Sequence, residues 1–349
     1  MSNPFAGRFD EMMTAILGPP PSPLPATLRC ADLFCGIGGF HVAARNLGLD
    51  VVYACDIDDA ARDAYAANYG LRPDGDITKV RVDQIPDFDL LFAGFPCQPF
   101  SIIGRMQGLA DPRGSMFFEL LRFLRVKRPD GVILENVKQL ATADNGKVMD
   151  RITSELASLG YRTDYRILNA LDFGLPQKRE RTIIVGTQQQ VEFPWPSGNI
   201  PMTPLADILD TSPDAKHFAS PEIRAKRHRA HTAEIKPAIW HENKGGNISS
   251  HPWSCALRAG ASHNYLLVDG ERRLTPREML RLQGFPDNWE IVCKDAQTRK
   301  QAGNAVPVPM VQAVIERMVD IVRRPTPTQQ RTERLRTASP GANTGLGVT

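Results

Sequence analysis

Residues 28–48 read LRCADLFCGIGGFHVAARNLG. A short apolar run ends in a glycine-rich turn, and the turn leads into a segment whose apolar residues have helical spacing up to a glycine stop. This strand–turn–helix pattern is typical of the first unit of a parallel α/β sheet. Glycines let the backbone approach a ligand closely, and the start of the helix offers free N–H groups. The turn alone decides nothing about function, because it does not match GxGxxG and such turns also have purely structural roles.

The same alternation continues to about residue 186. Short apolar segments bounded by Gly, Pro or Asp are separated by amphipathic segments. The further predicted strands lie in DVVYACDID, DFDLLFAGFP, DGVILENV, YRTDYRILNA and RTIIVGT. This pattern predicts a doubly wound α/β fold with a mostly parallel sheet. The alternation fails over 187–270, which is rich in Pro, Ser, Asn, His and Gly, and helical patterning returns at 274–284 and 304–322.

These changes in composition divide the chain into four predicted parts. The Pro-rich string GPPPSPLP separates an appendage from the α/β region, and the C-terminal end has few large apolar side chains, as disordered segments do. The parts are an N-terminal extension over 1–27, a catalytic domain over 28–193 plus 300–323, a smaller irregular domain over 194–299 and a disordered tail over 324–349.

Composition indicates a soluble globular protein. The chain has 349 residues, of which 42% are hydrophobic and 23% charged, with a net charge of +3. It has no apolar run long enough to span a bilayer and no apolar core of a signal peptide near its start, so we expect a cytoplasmic, nucleoid-associated protein. The basic strings at 224–231 and 323–336 are either phosphate contacts or a solvated helix face and a disordered tail.

Six cysteines occur at positions 30, 35, 55, 97, 255 and 293, without a CxxC pair. No histidine cluster has metal-ligand spacing, so we predict neither a metal site nor a disulfide framework. Cys97 differs from the others because prolines flank it in GFPCQPF, just beyond a predicted strand end. A thiol held at the ligand-binding edge of such a sheet suits a nucleophile.

Charged residues follow the ends of other predicted strands. Asp56 comes about 20 residues after the glycine-rich turn, where a doubly wound fold places its acceptor for ribose hydroxyls. Asp76 and Ile77, in the GDIT string of a third strand region, are candidates to contact an adenine. Together they indicate a nucleoside-containing cofactor, and the absence of GxxxxGK[ST] disfavours ATP.

Further charged residues lie on the later predicted strands. Glu135 ends an apolar strand, where an acid is costly to bury without a purpose. Arg179 and Arg181 lie two residues apart, hence on the same side of an extended segment. An ordinary ion-paired basic turn is the structural alternative for this string.

Six segments in order resemble the cytosine-5 DNA methyltransferase family of bacterial restriction-modification type, from residue 32 to about 322. They are DLFCGIGGF (32–40), GFPCQPFS (94–101), ENV (135–137), QKRERTIIVG (177–186), RLTPREMLRLQGFP (273–286) and QAGNAVPVPM (301–310). The resemblance implies a DNA (cytosine-5-)-methyltransferase that uses S-adenosyl-L-methionine and flips the target cytosine out of the duplex.

The resemblance also implies roles for the reacting residues. The Cys97 thiolate would attack carbon-6 of cytosine, and Glu135 would hold or protonate N3 and contact the exocyclic amine. Arg181 would contact the carbonyl oxygen of the ring, with Gln177 and Arg179 in support. Phe95 and Pro96 would line the pocket of the flipped base.

By the same correspondence, another set of residues would hold the cofactor. Phe34, Gly36 and Gly38 would shape the turn, Asp56 would accept the ribose hydroxyls, and Ile57 would pack on adenine. Asp76 and Ile77 would read the adenine edge, and Asn304 would brace the cofactor and the catalytic loop. This chain departs from the family in having Asp56 where a Glu is common and Ile57 where a bulkier or aromatic side chain is usual.

Contacts with DNA are implied for two regions. A mobile loop over 101–116 would close on DNA, with Ser101 and Arg113 as contacts. The region 194–270 would read bases in the major groove, with Asn247, Ser249 and Arg258 as candidate readers. Ala256–Leu257 replaces a Thr-Leu pair that is common in the family.

Three other interpretations stay open at this point. An RNA (tRNA) cytosine-5 methyltransferase shares the fold, although the long recognition segment and the lack of a CFT string favour DNA. A catalytically silent DNA-binding regulator would have to keep Cys97, Glu135 and Arg181 without using them, and a redox role for Cys97 lacks a resolving cysteine nearby. The expected partners are double-stranded DNA and a separate cognate restriction endonuclease, and we expect a monomer.

Overall fold

The computed structural model describes residues 27–96, 115–262 and 264–323. The predicted N-terminal extension and C-terminal tail lie outside these ranges, apart from Thr27. Within the described ranges no helix is both long and apolar enough to cross a membrane.

The first strands of the chain build a central sheet. They are β1 (Arg29–Leu33), β2 (Asp50–Cys55), β3 (Leu90–Gly94), β4 (Gly131–Val137), β5 (Arg162–Asn169), β6 (Gln177–Lys178) and β7 (Glu180–Thr187). All of them except β6 form one six-stranded sheet in the order β2-β1-β3-β4-β7-β5. The β2, β1, β3 and β4 strands are parallel neighbours, whereas β7 runs antiparallel between β4 and β5. The predicted mostly parallel sheet is confirmed.

Helices cover this sheet and continue toward the C-terminus. They are α1 (Gly39–Asn46), α2 (Asp59–Tyr69), α3 (Ser115–Lys127), α4 (Lys147–Ser158), α5 (Leu205–Ile208), α6 (Pro221–Ala230), α7 (Pro276–Arg281), α8 (Asp295–Asn304) and α9 (Val308–Val322). Successive strand residues point to opposite faces, so Leu90 and Phe92 join the core formed with α1 and α9, while Leu91 and Ala93 join the core formed with α3 and α4. Apolar side chains on both faces of β3 explain its continuous apolar run.

A smaller sheet lies in the C-terminal half of the chain. Its strands are β8 (Ile239–Glu242), β9 (Ile248–His251) and β11 (Leu266–Val268), paired antiparallel in the order β11-β8-β9. The short strand β10 (Ser254–Cys255) pairs parallel with β6, so the small-sheet region touches the chain just before β7. The three-stranded sheet is the part of the molecule in which we predicted base-reading residues.

The basic string at 224–231 forms helix α6 and is tied into this small-sheet region. Arg227 donates to Glu242 at 2.6 Å, and Arg224 donates to Glu271 at 2.9 Å. The His228 ring lies 2.6 Å from the same Glu271 carboxylate. Much of the positive charge of this helix is therefore matched by acidic side chains of the same region.

The predicted third strand at GDIT is wrong. Cys55 and Asp74 form an isolated bridge just before this string, and a short 3-10 helix follows over Ile77–Lys79. Asp76 caps that helix by accepting hydrogen bonds from the backbone N–H and the hydroxyl of Thr78. Aspartate competes with ladder pairing by bonding to its own neighbouring backbone, which favours the short helix over a strand.

Helix α8 does not fit the predicted boundary between the small domain and the last part of the catalytic domain. It crosses the expected boundary between residues 299 and 300 without a break. The predicted C-terminal helix also begins later than its sequence pattern implied, because Asn304 ends α8 and Ala305 has extended dihedral angles. A boundary that leaves α8 whole fits this structure better, and the four-part division stays a prediction.

Candidate active site

The carboxyl ends of the parallel strands open into one cleft with a volume of about 400 Å³. Ten of the predicted site residues line it: Phe34, Gly36, Asp56, Ile57, Phe95, Pro96, Glu135, Arg179, Arg181 and Asn304. Gly38, Asp76, Ile77 and Gln177 are absent from its lining. The structure therefore brings the predicted cofactor and base residues to a single place, at the sheet edge where ligands of doubly wound folds bind.

The glycine-rich turn is tied to the end of β2. Gly36 donates its backbone N–H to Oδ2 of Asp56 at 2.7 Å, and Asp58 donates its own N–H to Oδ1 of Asp56 at 2.8 Å. Burial raises the pKa of Asp56 above its usual value, although both N–H donors act in the opposite direction. Gly36 has φ of +54°, and a Cβ at this position would meet no atom within 4 Å, so the cleft is open directly above it.

Ile57 provides the test of whether a nucleoside fits here. Its side chain is 76% exposed, yet it lies in the lining of a concave cleft beside the Asp56 carboxylate. An exposed apolar side chain next to an acceptor for hydroxyl groups matches an adenine ring on a ribose. Phe34, with φ of +54°, lines the same part of the cleft.

Asp76 and Ile77 lie in other surroundings. Asp76 uses its carboxylate on Thr78, and Ile77 is buried in the core between the sheet and α3. Gly38 begins α1 in a left-handed conformation and packs on Tyr69. Their predicted contacts with adenine or cofactor stay predictions.

Two acidic residues near the turn were missed by the sequence reasoning. Asp32 is fully buried, and neither of its carboxylate oxygens has a hydrogen-bond partner among the described residues. Burial and the neighbouring Asp56 raise its pKa well above the usual value. Asp58 caps α2 and pairs with Lys300 of the cleft lining at 2.7 Å. The acidic residue inside the apolar run CADLF was a sequence signal that Asp32 belongs to the site. No feature of the neighbouring sequence indicated that Lys300 lines the cleft.

Glu135 and Arg181 form the polar centre on the other side of the cleft. Glu135 is 8% exposed, and Nε of Arg181 lies 2.7 Å from its Oε1. The antiparallel register of β4 and β7 pairs Glu135 with Ile183 and Val137 with Arg181, which brings the two charged side chains together. Gly94 lies opposite Glu135 on β3, and a Cβ there would come within 3.6 Å of Oε2. The sheet thus fixes a carboxylate–guanidinium pair at the cleft.

Asn136 supports the segment that leads to Cys97. Its side-chain amide is buried and donates to the carbonyl oxygen of Phe95 at 3.0 Å. Phe95 is itself buried, and Pro96 lines the cleft. Cys97 follows at once in the chain, but it lies outside the described residues, as do Ser101 and Arg113.

Arg179, which is part of the cleft lining, and Gln177, which is not, hold separate parts of the chain together. The Arg179 guanidinium donates to the carbonyl oxygens of Leu257, Gly303 and Ala305 at 2.8–3.0 Å. Burial, followed by the nearby charge of Arg181, lowers its pKa to about 9. Gln177 accepts from the backbone N–H of Leu257 at 3.0 Å. Both side chains join β6 and its flank to the chain at Leu257, and Arg179 also joins it to the end of α8.

The predicted DNA readers differ in their surroundings. Arg258 is exposed and lies over the Tyr265 ring, 4.7 Å from its centroid. Asn247 closes the turn between β8 and β9, and the hydroxyl of Ser249 lies 3.2 Å from the His251 ring. Arg258 is also next to the point where Ala259 touches Gly303, one residue before Asn304. The main chain at Arg258 therefore lies against Gly303 of the cleft lining.

Comparison with known proteins decides the family. The model of the C-5 cytosine-specific DNA methylase family matches residues 28–320. The chain belongs to this family. It is a DNA cytosine-5 methyltransferase and depends on S-adenosylmethionine, as predicted.

Two relatives are similar over most of their length. Type II methyltransferase M.NgoBI of Neisseria gonorrhoeae is 48% identical over 288 residues, which are 82% of this chain and 91% of the relative. Type II methyltransferase M.HaeII of Haemophilus aegyptius is 46% identical over 302 residues, 85% and 95% of the two chains. The crystal structure of the S. pombe Dnmt2 methyltransferase shares the fold, with a TM-score of 0.67, 22% identity and coverage of 85% of this chain and 100% of that one.

Proposed function

We propose that this methyltransferase acts on the cytosine of one short duplex DNA sequence through the Cys97 thiolate, with Glu135 and Arg181 holding the flipped base. The 2.7 Å pair of Glu135 and Arg181 in the cleft is the observation that carries this proposal. Both side chains are mostly buried, so their polar groups act in surroundings from which water is largely excluded.

The proposed chemistry assigns a bond or a proton to each step. The Cys97 sulfur adds to carbon-6, and the electron pair of the carbon-5–carbon-6 double bond moves toward N3 and the ring carbonyl. Glu135 stabilises this charge by a hydrogen bond or a proton at N3, and Arg181 does so at the carbonyl oxygen. When bound, S-adenosylmethionine would supply the methyl group for carbon-5, with the sulfur–methyl bond breaking and its electron pair leaving on the thioether product. Loss of the carbon-5 proton then restores the double bond and expels the Cys97 thiolate.

The cofactor would lie on the opposite side of the cleft from this pair. Asp56 would accept the ribose hydroxyls while keeping its two backbone donors, since each carboxylate oxygen has two lone pairs. Ile57 would be covered by the adenine ring, which removes an exposed apolar surface from water. Asn304 would brace the cofactor from the end of α8.

Covalent trapping tests the role of Cys97. In DNA containing 5-fluorocytosine, carbon-5 cannot lose a proton, so the adduct should persist for the wild type and be absent for Cys97→Ser. Cys255→Ser serves as the matched control and should trap as the wild type does. Wild-type protein that forms no adduct on any duplex panel would exclude the Cys97 mechanism on DNA.

The names of the relatives bear on the biological setting, since two of them are Type II methyltransferases. We propose that the chain protects host DNA from a separate restriction endonuclease, and that it works in the cytoplasm as a monomer. Bisulfite sequencing of DNA from cells that express the chain should show one methylated short sequence. Methylation spread over unrelated sequences would contradict site-specific protection, and gel filtration with light scattering checks the monomer.

The proposed reader of that sequence is the region 194–270, with Arg258 near the cleft and Asn247 and Ser249 on the small sheet. Ser101 and Arg113 are proposed DNA contacts of the loop before α3. Arg258→Ala should weaken methylation of the preferred site, whereas Arg229→Ala, on an exposed part of α6, should leave it unchanged. Equal effects of the two substitutions would show that Arg258 contributes only general positive charge.

A further inference from the structure

Tyr69, the last residue of α2, connects the glycine-rich turn to the chain that leads into α8. Its hydroxyl oxygen lies 3.0 Å from the carbonyl oxygen of Ile37 and 3.1 Å from that of Gly38. The same oxygen accepts a hydrogen bond from Nε1 of Trp289 at 3.2 Å. A hydroxyl has one proton and two lone pairs, so it can donate to the turn while it accepts from Trp289.

The Tyr69 ring also determines which residue can occupy the turn. Gly38 has φ of +81°, and a Cβ there would clash with the ring. On the ring, His41 stacks with a centroid distance of 3.9 Å and an interplanar angle of 15°. These close contacts fix the ring, so its hydroxyl holds the carbonyl groups of Ile37 and Gly38 in place.

The chain that carries Trp289 is fastened to α2 at both ends of the helix. Asn68 exchanges two hydrogen bonds with the main chain of Glu290, at 2.6 and 3.0 Å. At the start of α2, Lys300 donates to Asp58 at 2.7 Å, two residues after Asp56. Helix α2 and the chain around it therefore support both the Asp56 end of the cleft and the turn.

We propose that Tyr69 is a positioning residue for the cofactor, which acts through the carbonyl groups of Ile37 and Gly38 and is itself held by Trp289. Tyr69 does not line the cleft, so its effect has to pass through the turn. The proposal rests on the assignment of the Gly36–Asp56 end of the cleft to the cofactor. It implies that loss of the hydroxyl weakens cofactor binding and leaves the chemical step unchanged.

Tyr69→Phe tests this directly, because it keeps the ring and removes the hydroxyl. We expect about a fivefold rise in KM for S-adenosylmethionine, the size of one lost hydrogen bond, with kcat and the KM for DNA unchanged. Tyr53→Phe is the matched control, since its hydroxyl donates to Asp74 at 3.0 Å and does not touch the turn. It should leave the KM for S-adenosylmethionine at the wild-type value.

A double-variant cycle tests the connection to Trp289. Trp289→Phe should also raise the KM for S-adenosylmethionine. The double variant should have the same KM as Tyr69→Phe alone, because one hydroxyl serves both contacts. Additive effects would show that Trp289 does not act through Tyr69. Trp289 is 3% exposed, so if its substitution prevents folding, Tyr69→Phe against Tyr53→Phe decides the proposal.

The outcomes separate this inference from the proposed cofactor site. An unchanged KM in Tyr69→Phe, or an equal rise in Tyr53→Phe, overturns the positioning role. Equilibrium binding of S-adenosylmethionine to Asp56→Ala is the second measurement. If Asp56→Ala loses binding while Tyr69→Phe keeps it, the cofactor site stands and only the role of Tyr69 fails. If Asp56→Ala binds as the wild type does, the cofactor site itself is wrong.

Discussion

Arg179 and Arg181 lie two residues apart and belong to different regions of the molecule. Arg179 belongs to the cleft lining but is only 1% exposed, and its guanidinium donates to main-chain carbonyl groups. Arg181 faces the cleft and pairs with the Glu135 carboxylate. We call the first region the buried frame, formed by Gln177, Arg179 and Gln283, and the second the reacting face, formed by Glu135 and Arg181. The frame uses its polar atoms on other parts of the chain, whereas the face presents them to a substrate.

This difference predicts which measurement each substitution changes. The frame joins β6, the small-sheet region and α8, so its loss should lower the free energy of unfolding. The reacting face makes few such connections, so its loss should lower the rate of methylation. Substitutions in and around the two regions test this division, from the largest expected effect to the smallest.

Glu135→Gln should show the largest effect, on rate alone. The amide keeps the shape of the side chain but cannot give or take the proton at N3, so kcat should fall about 10²- to 10⁴-fold. Transfer of radiolabelled methyl groups to DNA measures the rate, and urea denaturation should show little change in stability. Glu180→Gln is the control, because that half-buried carboxylate pairs with Lys138 at 2.9 Å. A loss of less than about tenfold for Glu135→Gln would remove it from the reacting face.

Arg179→Lys should lower the free energy of unfolding, in contrast to Glu135→Gln, which should lower the rate. An ammonium group cannot reach three carbonyl oxygens with the fork of a guanidinium, and the unfilled acceptors should cost about 3 kcal/mol of stability. Arg181→Lys keeps a positive charge beside the buried Glu135 carboxylate, so it should cost less stability than Arg179→Lys while it lowers kcat. Urea denaturation of both variants gives the comparison. Equal losses of stability would show that the two arginines do not belong to separate regions.

The contrast between these arginines also shows which features of the site the sequence can predict. Asp56 and Glu135 were predicted because both end apolar strands, and parallel strands bring their carboxyl ends to one edge of the sheet. Alternation placed Arg179 and Arg181 on the same side. It could not show that Arg179 is buried, because its acceptors in Leu257 and Gly303 lie 78 and 124 residues away in the chain.

Other features depended on competition between local and distant contacts. GDIT has the appearance of a strand end, but Asp76 bonds to Thr78 and favours a short helix. Composition left the basic string at 224–231 as either phosphate contacts or a solvated helix face, and in the structure Glu242 and Glu271 neutralise much of its charge. The first feature was decided by a side chain two residues away, and the second by two acidic side chains whose positions only the folded structure reveals.

The two glycines of the turn should also differ in whether their substitution changes stability or ligand binding, with smaller effects than those of the arginines. Gly38→Ala places a methyl group against the Tyr69 ring at a φ of +81°, and it should cost about 2 kcal/mol of stability. Gly36→Ala meets no atom within 4 Å and carries only the cost of its φ of +54°, about 1 kcal/mol. Its methyl group faces the cleft, so it should instead weaken binding of S-adenosylmethionine. Calorimetry of binding and thermal unfolding of both variants separate the two effects, and a reversed order would contradict the assignment.

Asp32→Asn should have the smallest effect on methylation, since it is expected to change the pH dependence of stability. Burial raises the pKa of Asp32 in the folded state, so the folded protein binds this proton more tightly than the unfolded chain does. Its contribution to stability is therefore complete below the unfolded pKa of about 3.9 and is lost as the pH rises toward the folded value. Thermal unfolding from about pH 5 to about pH 8 should show the wild type losing stability relative to Asp32→Asn.

The matched control for this measurement is Asp83→Asn, whose carboxylate is 64% exposed. Its pH dependence should follow that of the wild type. Parallel curves for the wild type and Asp32→Asn would mean that an ordered water compensates the buried carboxylate in solution. Where the curves differ without cofactor, repeating the titration with saturating S-adenosylmethionine tests whether the bound cofactor supplies a donor, because the difference between the curves should then disappear. That result would move Asp32 from the buried interior to the cofactor side of the cleft.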